Sequence, residues 1–474
     1  MSKSHSNQEI FLRLPEIKEA DSGLRESFLK VTERFESHSI EKDQETIALR
    51  TPLTETLCEE QLASVELSMS NGISYITGSA GRGKSSAIME IIRRSSGTII
   101  ATPTHAARKV VQRRVEKNNL QQYCRADVVS YIKTHASKYV KGVRVPPTPI
   151  SQREEDLFSI SVMETLILDE VSMIDVVAAH EMIRSLLRAF PTIIRIVFVG
   201  DTNQLRSAQK GNLLDDLIKS KIPGSTLTIN HRSGSLSRNI DCILEGRADD
   251  IVMEPGKFEV LTVDDVKMAV DSSGLVIHVA DKVASEMTRI EEERGFQTHS
   301  MCYMHREIDT LNSVFRRKHG PLQKMKTGLK IRVKDPSKIH GPTLYGNDLL
   351  TVVSSKFKRG IVSIRLREWS RTKNAPQGPK FRVCVSKSSL DQAFTMGFST
   401  TCHAFQGDES DAVVIHAVQN CRYFDRLALY TAVSRARELI VLVTVKGFGD
   451  WKSIVKSLNP GRVSALSLVL DGAL

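Results

Sequence analysis

The chain has 474 residues, of which 41% are hydrophobic and 26% charged, and its formal net charge is +11 at neutral pH. This composition is typical of a folded protein with two or three domains, and it argues against a disordered chain. The excess of positive charge favours a polyanionic partner, which could be nucleic acid or a membrane surface.

The cysteines and the N-terminal residues further limit the class of protein. Seven cysteines are scattered along the chain without a C-x-x-C pair, so the sequence predicts neither a zinc site nor a disulfide framework. The first residues, "MSKSHSNQEIFLRL", lack the pattern of a signal peptide, and no apolar run reaches the ~18 residues of a membrane span. We therefore expect a soluble intracellular protein with no membrane partner, and the choice between cytoplasm and nucleus stays open.

Strand-like and helix-like patterns alternate along most of the chain. Residues 1–50 are polar with a weak helical pattern and are expected to form an N-terminal extension. Continuous apolar runs separated by helical patterns predict strands buried on both faces of parallel sheets, so the predicted fold class is α/β. In chain order the runs are "ISYIT", "TIIAT", "TLILDE", "RIVFVGD", "SMCYM", "DAVVIHAV" and "LIVLVTV".

Two segments interrupt this alternation. Between about 125 and 160, prolines and a glycine separate short β-like runs, which predicts a small hairpin insertion. Between about 345 and 392, alternating residues predict antiparallel strands of a small inserted β-barrel. Residues 351–390 contain ten basic side chains and one acid, Glu368, with Phe357, Trp369 and Phe381 interleaved. This pattern suits a surface that follows a nucleic-acid backbone. For the aromatic residues, the favoured alternative is a small core beneath a solvated basic face.

A phosphate-binding loop is indicated by "GSAGRGKSS" at residues 78–86, which matches G-x-x-x-x-G-K-[ST] between a predicted strand and a predicted helix. Backbone amides from about Ala80 to Lys84 would face the phosphates, Lys84 would neutralise their charge, and Ser85 would bind magnesium. The alternative is a glycine-rich turn before a surface helix.

Polar residues follow two more predicted strands. Asp169 and Glu170 end one strand, where one carboxylate can hold a magnesium shell while the other deprotonates a water. Gln204, after the next strand together with Asp201, could sense a γ-phosphate, and Arg232 and Arg435 could stabilise the charge that develops during phosphoryl transfer. Helix caps, turns and solvated arginines are the alternatives for these residues.

The ordered motifs resemble those of superfamily 1 helicases, specifically the RecD-like (1B) group that includes the phage Dda helicase. The resemblance covers about residues 55–445. In chain order it rests on "LCEEQ", "GSAGRGKSS", "ATPTHAARK", "LILDEVSM", "VFVGDTNQL", "INHRS", "STTCHAFQGDE" and "LYTAVSRA". It implies two RecA-like domains, at 51–225 and 226–474, with ATP and Mg²⁺ in the cleft between them and an SH3-like barrel in the second.

The resemblance also implies roles for individual residues. Gln61 would read adenine and Glu409 would contact the ribose, while Gln204, Arg232 and Arg435 would contact the γ-phosphate, and Ser85 and Asp169 would hold the metal. For several of the threonines and histidines, helix capping is the alternative. The loop residues expected to bind nucleotide are Gly78, Ala80, Gly81, Arg82, Gly83, Lys84, Ser85 and Ser86, and the residues expected to bind a single strand are Thr102, Thr104, His105, Thr401 and His403.

Three departures from the family pattern concern the strand contacts and one arginine motif. Ala404 stands where the family usually has Lys, Ser233 stands where it usually has Gln, and "ADVVSYIK" matches the family poorly in the region of the strand-separating pin. None of these positions belongs to the set expected to hydrolyse ATP.

The function that the resemblance implies is an ATP-dependent DNA helicase that moves 5′ to 3′ on single-stranded DNA. It would act at duplex junctions as a monomer, with replication or single-strand-binding proteins as further partners. Two alternatives stay open: an RNA helicase of the same superfamily, because phosphate contacts carry little information about the sugar, and an ATP-gated nucleic-acid clamp that does not unwind.

Overall fold

The structure is a computed structural model, and its described residues form two compact units that divide between Arg232 and Ser233. The sequence predicts this division at 225/226. The described ranges are 15–38, 53, 56–125, 138–140, 143–145, 162–205, 213–232, 234–263, 277–302, 305–342, 344, 346–370, 375–416, 425–446 and 451–456.

The first unit is built on a six-stranded sheet in which all neighbouring strands are parallel, in the order β3-β2-β6-β7-β1-β8. Four of these strands correspond to the apolar runs of the sequence, and their burial on both faces explains the absence of alternation. The strands are β1 (Ile73–Gly78), β2 (Thr98–Ala101), β3 (Cys124–Arg125), β6 (Thr165–Leu168), β7 (Arg195–Gly200) and β8 (Gly224–Leu227).

Helices cover this sheet, and a short antiparallel hairpin, β4 (Lys138–Val140) with β5 (Val143–Val145), lies within the predicted insertion at 125–160. The rest of that insertion, including "ADVVSYIK", lies mostly outside the described residues. The helices are α1 (Pro15–Glu36), α2 (Glu59–Met69), α3 (Lys84–Arg94), α4 (His105–Lys117), α5 (Val176–Ala189) and α6 (Leu213–Lys219).

Helix α1 is part of the core of the first unit, which the polar composition of residues 1–50 did not predict. Its side chains Ala20, Leu24, Phe28 and Val31 are at most 1% exposed. The Phe28 ring packs edge-on against Phe198 of β7, with 5.7 Å between ring centroids. The apolar positions fall at helical spacing, so a helix that is polar on average still buries one face.

The second unit contains a five-stranded parallel sheet in the order β16-β10-β17-β18-β9. Its strands are β9 (Phe258–Val263), β10 (Thr298–Cys302), β16 (Ser399–Thr401), β17 (Ser410–His416) and β18 (Ala436–Val445). Its helices are α7 (Ser235–Glu245), α8 (Ile277–Arg294), α9 (His305–His319), α10 (Leu390–Ala393), α11 (Arg426–Val433) and α12 (Trp451–Lys456). The predicted α/β class with parallel sheets is confirmed.

An antiparallel sheet is inserted between α9 and β16, in the order β14-β13-β12-β11-β15. It is wider than the predicted 345–392, because the flanking strands β11 and β15 also join it. Val352, Val362 and Val383 lie in its core, and Phe381 packs against that core. The side chain of Trp369 lies outside the described residues. The strands are β11 (Lys330–Val333), β12 (Leu349–Lys358), β13 (Ile361–Ser370), β14 (Ala375–Ser386) and β15 (Phe394–Met396).

The described residues also bear on the cysteines and on membrane-spanning helices. Six of the seven cysteines are described, and all six are free thiols. Within the same ranges, no helix is both long and apolar enough to span a membrane.

Candidate nucleotide site and strand-contact residues

The predicted site residues of the first unit follow the carboxyl ends of five neighbouring strands, β2, β6, β7, β1 and β8. Because the strands are parallel, these ends lie along one edge of the sheet, which is where open α/β sheets bind ligands. The edge carries Thr102 after β2, Asp169 after β6, Gln204 after β7, the loop 79–83 after β1 and Arg232 after β8.

Two positions of the phosphate-binding loop, Gly81 and Gly83, have neighbours so close that a side chain would not fit. Gly81 and Gly83 have φ of 82° and 84°, a conformation that side chains rarely adopt. A Cβ on Gly83 would lie 2.0 Å from the Gln61 amide nitrogen, and a Cβ on Gly81 would lie 2.9 Å from Arg232 Cγ. The loop therefore holds Gln61 and Arg232 against its own backbone.

Lys84 begins helix α3 directly after this loop. Its ammonium group donates hydrogen bonds to the carbonyl oxygens of Gly78 and Ser79, the second at 3.1 Å. The side chain thus folds over the start of the loop and puts a positive charge beside backbone amides of a helix N-terminus, the combination that binds phosphate. Ser85 and Ser86 follow on the first turn of α3 and are half-buried.

Asp169 and Glu170 form a coupled carboxylate pair. Burial of the Asp169 carboxyl group and the adjacent charge of Glu170 raise the pKa of Asp169, and the charge of Lys84 opposes that rise. Lys84 therefore lies close enough to Asp169 for their charges to interact. Glu170 has φ 56° and ψ 40°, and its backbone N–H donates to Asp169 Oδ1 at 2.9 Å. This left-handed conformation is uncommon for a residue other than glycine.

The residues fit a magnesium-nucleotide complex better than a metal held by protein alone. Within the described part of the chain, no group of three or more His, Cys, Asp or Glu side chains could hold a metal ion. The oxygen Glu170 Oε2 is buried without a hydrogen-bond partner among the described residues, and such an atom usually binds water or a ligand. Magnesium typically takes one or two protein ligands and keeps phosphate and water oxygens, which agrees with the predicted pair Ser85 and Asp169.

The segment after β7 is organised by Asp201, which is fully buried. Asp201 accepts hydrogen bonds from the Asn203 backbone N–H at 2.9 Å and from the Gln204 side chain at 3.1 Å. Asn203 in turn contacts the Ser79 hydroxyl group at 3.5 Å. Gln204 is therefore held in place by a carboxylate, and its segment contacts the phosphate-binding loop.

Gln61 on α2 is held at both ends of its amide. Its oxygen accepts from the Cys58 N–H at 2.9 Å, and its nitrogen donates to the Gly83 oxygen at 3.2 Å. A side-chain amide has two N–H donors and two lone pairs. One N–H donor and one oxygen lone pair of Gln61 stay available, and pairing with the edge of an adenine requires one donor and one acceptor.

Residues 228–232, which we call the β8 arm, connect β8 to Arg232 and are fixed by three neighbours. Glu60 accepts from the Thr228 N–H and hydroxyl groups at 2.8 and 2.7 Å and from the Ile229 N–H at 3.0 Å. Arg82 donates to the Thr228 oxygen at 2.7 Å, and the His231 N–H donates to the Gly81 oxygen at 2.9 Å. The arm therefore joins helix α2 to the phosphate-binding loop.

In the second unit the structure brings Glu409 and Arg435 together. Each immediately precedes a strand, β17 and β18 respectively, and the Ser410 N–H donates to the Arg435 oxygen at 2.9 Å. Arg435 is 7% exposed, and its Nε donates to the Thr431 oxygen at 3.3 Å. Both residues lie at the amino ends of the parallel strands.

The residues predicted to contact a single strand have local structural partners. Thr104 caps helix α4 by accepting from the Ala107 N–H at 3.1 Å, and Thr401 accepts from the Ala404 N–H at 3.1 Å. The capping alternative is therefore realised for Thr104. Thr102 is 1% exposed, and the His105 side chain lies outside the described residues. Thr401 ends β16 at the carboxyl edge of its sheet, away from Arg435, and His403 follows it half-buried.

Sequence reasoning missed Glu60, Asn203 and Thr228 as parts of this site. Nothing local distinguishes Glu60 from its neighbour Glu59, because the residues that Glu60 contacts are 168 and 169 positions away. Arg82 was expected at the nucleotide, and its observed bond to Thr228 gives it a second role.

Comparison with known proteins supports the motif assignment. A family model described as an AAA domain matches residues 56–254, and one described as a UvrD-like helicase C-terminal domain matches residues 396–443. RecD subunits of the RecBCD enzyme are 26% identical over 165 residues in Buchnera aphidicola and 26% over 211 residues in Mycolicibacterium smegmatis. The matches cover 32% and 40% of this chain but only 26% and 36% of those relatives.

Solved structures agree on the fold. Bacteroides Pif1 bound to single-stranded DNA is similar with a TM-score of 0.52, and the same helicase with ADP-AlF3 and single-stranded DNA with 0.51. Each is 16% identical and is matched over 84% of this chain and 94% of its own. At this identity the likeness shows the fold alone. Together with the family models and the RecD relatives, it confirms the resemblance to superfamily 1 helicases of the RecD-like group.

Proposed function

We propose that this chain, which resembles the RecD-like superfamily 1 helicases, hydrolyses ATP to move along single-stranded DNA and unwind duplexes. The observation that carries the proposal is the convergence of the phosphate-binding loop, Asp169, Glu170, Gln204 and Arg232 at one sheet edge. Lys84 lies within electrostatic reach of Asp169 at that edge. A phosphate-binding loop with Lys, a carboxylate for the metal, a residue that orients water and an arginine are the groups that phosphoryl transfer uses.

The roles in hydrolysis follow from the positions of the side chains. Lys84 and the backbone amides of the loop would bind the phosphates, Gln61 would bind the adenine, and Ser85 with Asp169 would hold magnesium, which neutralises charge on the phosphate oxygens. Glu170, whose buried Oε2 has no hydrogen-bond partner in the described ranges of the chain, would take the proton of the attacking water. Gln204 and Arg232 would contact the γ-phosphate, and we assign Arg435 and Glu409 the γ-phosphate and ribose contacts from the second unit.

We assign single-strand contacts to Thr102, Thr104, His105, Thr401 and His403. Bacteroides Pif1 binds single-stranded DNA in its solved structures, and the net charge of +11 is consistent with such a partner here. DNA rather than RNA, movement from 5′ to 3′ and action as a monomer are further parts of the proposal. Replication and single-strand-binding proteins are its expected partners in a cell.

The proposal is tested by ATP hydrolysis with and without single-stranded DNA. We expect DNA to stimulate the wild-type chain, and Lys84→Ala and Glu170→Gln to lower turnover by about 100-fold or more, since they remove a phosphate-neutralising charge and a general base. Glu170→Gln should still bind ATP, because the amide keeps the shape of the side chain. Lys219→Ala, an exposed lysine on α6, is the matched control and should hydrolyse ATP normally. Wild-type turnover in Glu170→Gln would assign the base elsewhere.

A further inference from the structure

The hairpin formed by β12 and β13 exposes an aromatic ring at its tip. A two-residue turn, Arg359 and Gly360, joins the strands, and both residues have positive φ, 48° and 78°. This pair of dihedral angles is typical of a tight hairpin turn with a fixed geometry. Phe357, two residues before the turn, is 43% exposed, and Ile361 directly after it is 52% exposed.

Phe357 differs from Phe381 in the same sheet. Phe381 packs against the core of the insertion, as expected for an aromatic residue beneath a basic face. Phe357 lies directly opposite Val362, which is fully buried, so both side chains are on the core face of the sheet. Phe357 lies at the solvent-exposed end of that face. An exposed ring at this position contributes little to burial and is available to a ligand.

Cations lie at the turn and on the other face of the strand. Lys356 and Lys358 are exposed but alternate with Phe357 along β12, so their side chains lie on the opposite face of the sheet. Arg359 is exposed in the turn itself, and the Lys387 N–H donates to the Gly360 oxygen at 2.8 Å, which puts a second exposed cation at the turn. On the face opposite the core, Arg365 pairs in register with Arg382 on the neighbouring strand. Within the described part of the sheet, no carboxylate forms an ion pair with any of these side chains. Placing like charges next to each other is unfavourable unless an anion binds there.

We propose that this hairpin tip is a second nucleic-acid site, at which Phe357 stacks on an unpaired base while Arg359 and Lys387 at the turn bind the flanking phosphates. A ring with an exposed face requires a base that is free of its own stack, so the ligand is a single strand rather than an intact duplex. Phosphate contacts give affinity without sequence preference. The inference rests on the proposed function for its choice of polyanion, but the site is separate from the residues that hydrolyse ATP.

The test is equilibrium binding of the full chain to a fluorescent dT oligonucleotide, without ATP, over a range of salt concentrations. Phe357→Ala should weaken binding by about 5- to 150-fold, the range found for loss of one base stack, with the same dependence on salt. The double variant Arg359→Ala, Lys387→Ala should instead flatten the plot of log affinity against log salt by about 0.7 for each lost contact. Val252→Ala removes a 46% exposed apolar side chain of the same unit and should bind like wild type.

A strand without bases separates stacking from other effects. With an abasic oligonucleotide, Phe357→Ala and wild type should bind equally, and Phe357→Trp should restore affinity on the dT strand. Equal affinity of Phe357→Ala and wild type for dT would overturn the inference. So would binding of the wild type to phosphatidylserine vesicles that is lost in Phe357→Ala while strand affinity is kept, because the tip would then bind a membrane. Strand-stimulated ATP hydrolysis by Phe357→Ala at saturating DNA would show that the proposed function stands independently.

Discussion

Glu170 is one of four non-glycine residues with positive φ among the described residues. A residue with a Cβ costs roughly 1–2 kcal/mol in this conformation, so the surrounding structure must impose it. The bond from the Glu170 N–H to Asp169 and the bond from the Met173 N–H to the Glu170 oxygen hold the backbone there. Strain of this kind is common at functional sites, and here it orients the residue to which we assign the general base.

The identities of the nucleotide-site residues could be predicted from sequence, whereas their positions could not. Lys84 and Asp169 are recognisable because each follows a strand pattern in a motif of fixed length. The left-handed backbone of Glu170 and the bond between Asn203 and Ser79 have no sequence signature, because they depend on segments that are distant along the chain. The same limit applies to Phe357, whose exposure depends on where the core of the inserted sheet ends.

Asp21 on α1 makes the stability of the protein depend on pH. It is 6% exposed, and burial raises its pKa to about 6, although the charge of Arg25 opposes this. The folded state therefore holds the proton more tightly than the unfolded state, whose Asp side chains ionise near pH 4. The contribution of Asp21 to stability is intact below about pH 4, falls as the pH rises to about 6, and stays low above that pH.

We accordingly expect Asp21→Asn to stabilise the protein at pH 7 by on the order of 2 kcal/mol and to have little effect near pH 4. Thermal denaturation across this range measures the difference. Glu36→Gln, at an exposed position of the same helix, should show no such pH dependence. A stabilisation by Asp21→Asn that is equal at both pH values would mean that ionisation of this carboxyl group is not its cause.

Among the secondary-structure elements, the buried parallel strands were the most predictable. Runs such as "RIVFVG" are apolar throughout and lie between helices, which only a strand covered on both faces explains well. Helix α1 was predicted only as a weak helical pattern, and its burial in the core was missed because its mean composition is polar, although Leu24, Phe28 and Val31 fall on one face. Strand β8 was missed because it is a short edge strand with a largely polar sequence, "GSTL".

Helix α2 and the β8 arm form a clamp through Glu60, and this clamp is expected to affect nucleotide binding. Burial disfavours the charge of Glu60, but the bonds from Thr228 and Ile229 outweigh it and lower the pKa of this carboxyl group. The carboxylate is therefore ionised at neutral pH and accepts charge-assisted hydrogen bonds. Because Gln61 is the next residue, the clamp also positions the side chain assigned to adenine.

Glu60→Ala should raise the KM for ATP and reduce the preference for ATP over GTP, since both Gln61 and the arm that carries Arg232 would lose a support. Loss of a positioning contact near a reacting group costs about 10- to 100-fold in kcat/KM. Steady-state hydrolysis of both nucleotides measures the effect, with Glu59→Ala on the same helical turn as the control. If Glu60→Ala lowers thermal stability but leaves nucleotide preference unchanged, Glu60 has only a structural role.

The whole molecule combines two parallel-sheet units with one antiparallel insertion, and this architecture was predictable because eight motifs occur in the family order. In the second unit, the residues assigned to the strand and to the nucleotide lie at opposite ends of the parallel strands: Thr401 lies at the carboxyl edge and Arg435 at the amino ends. A change at the nucleotide would then reach the single strand through one sheet.

The central claim, that ATP hydrolysis drives unwinding of DNA from a single-stranded tail, is tested most directly by strand displacement. Duplexes with a 5′ tail, a 3′ tail or no tail, made of DNA or of RNA, would be compared with and without ATP, and Lys84→Ala would serve as the inactive control. We predict ATP-dependent displacement from the 5′-tailed DNA duplex and little from the others. The claim would be contradicted if no duplex were unwound while DNA still stimulated ATP hydrolysis, or if only RNA duplexes were unwound.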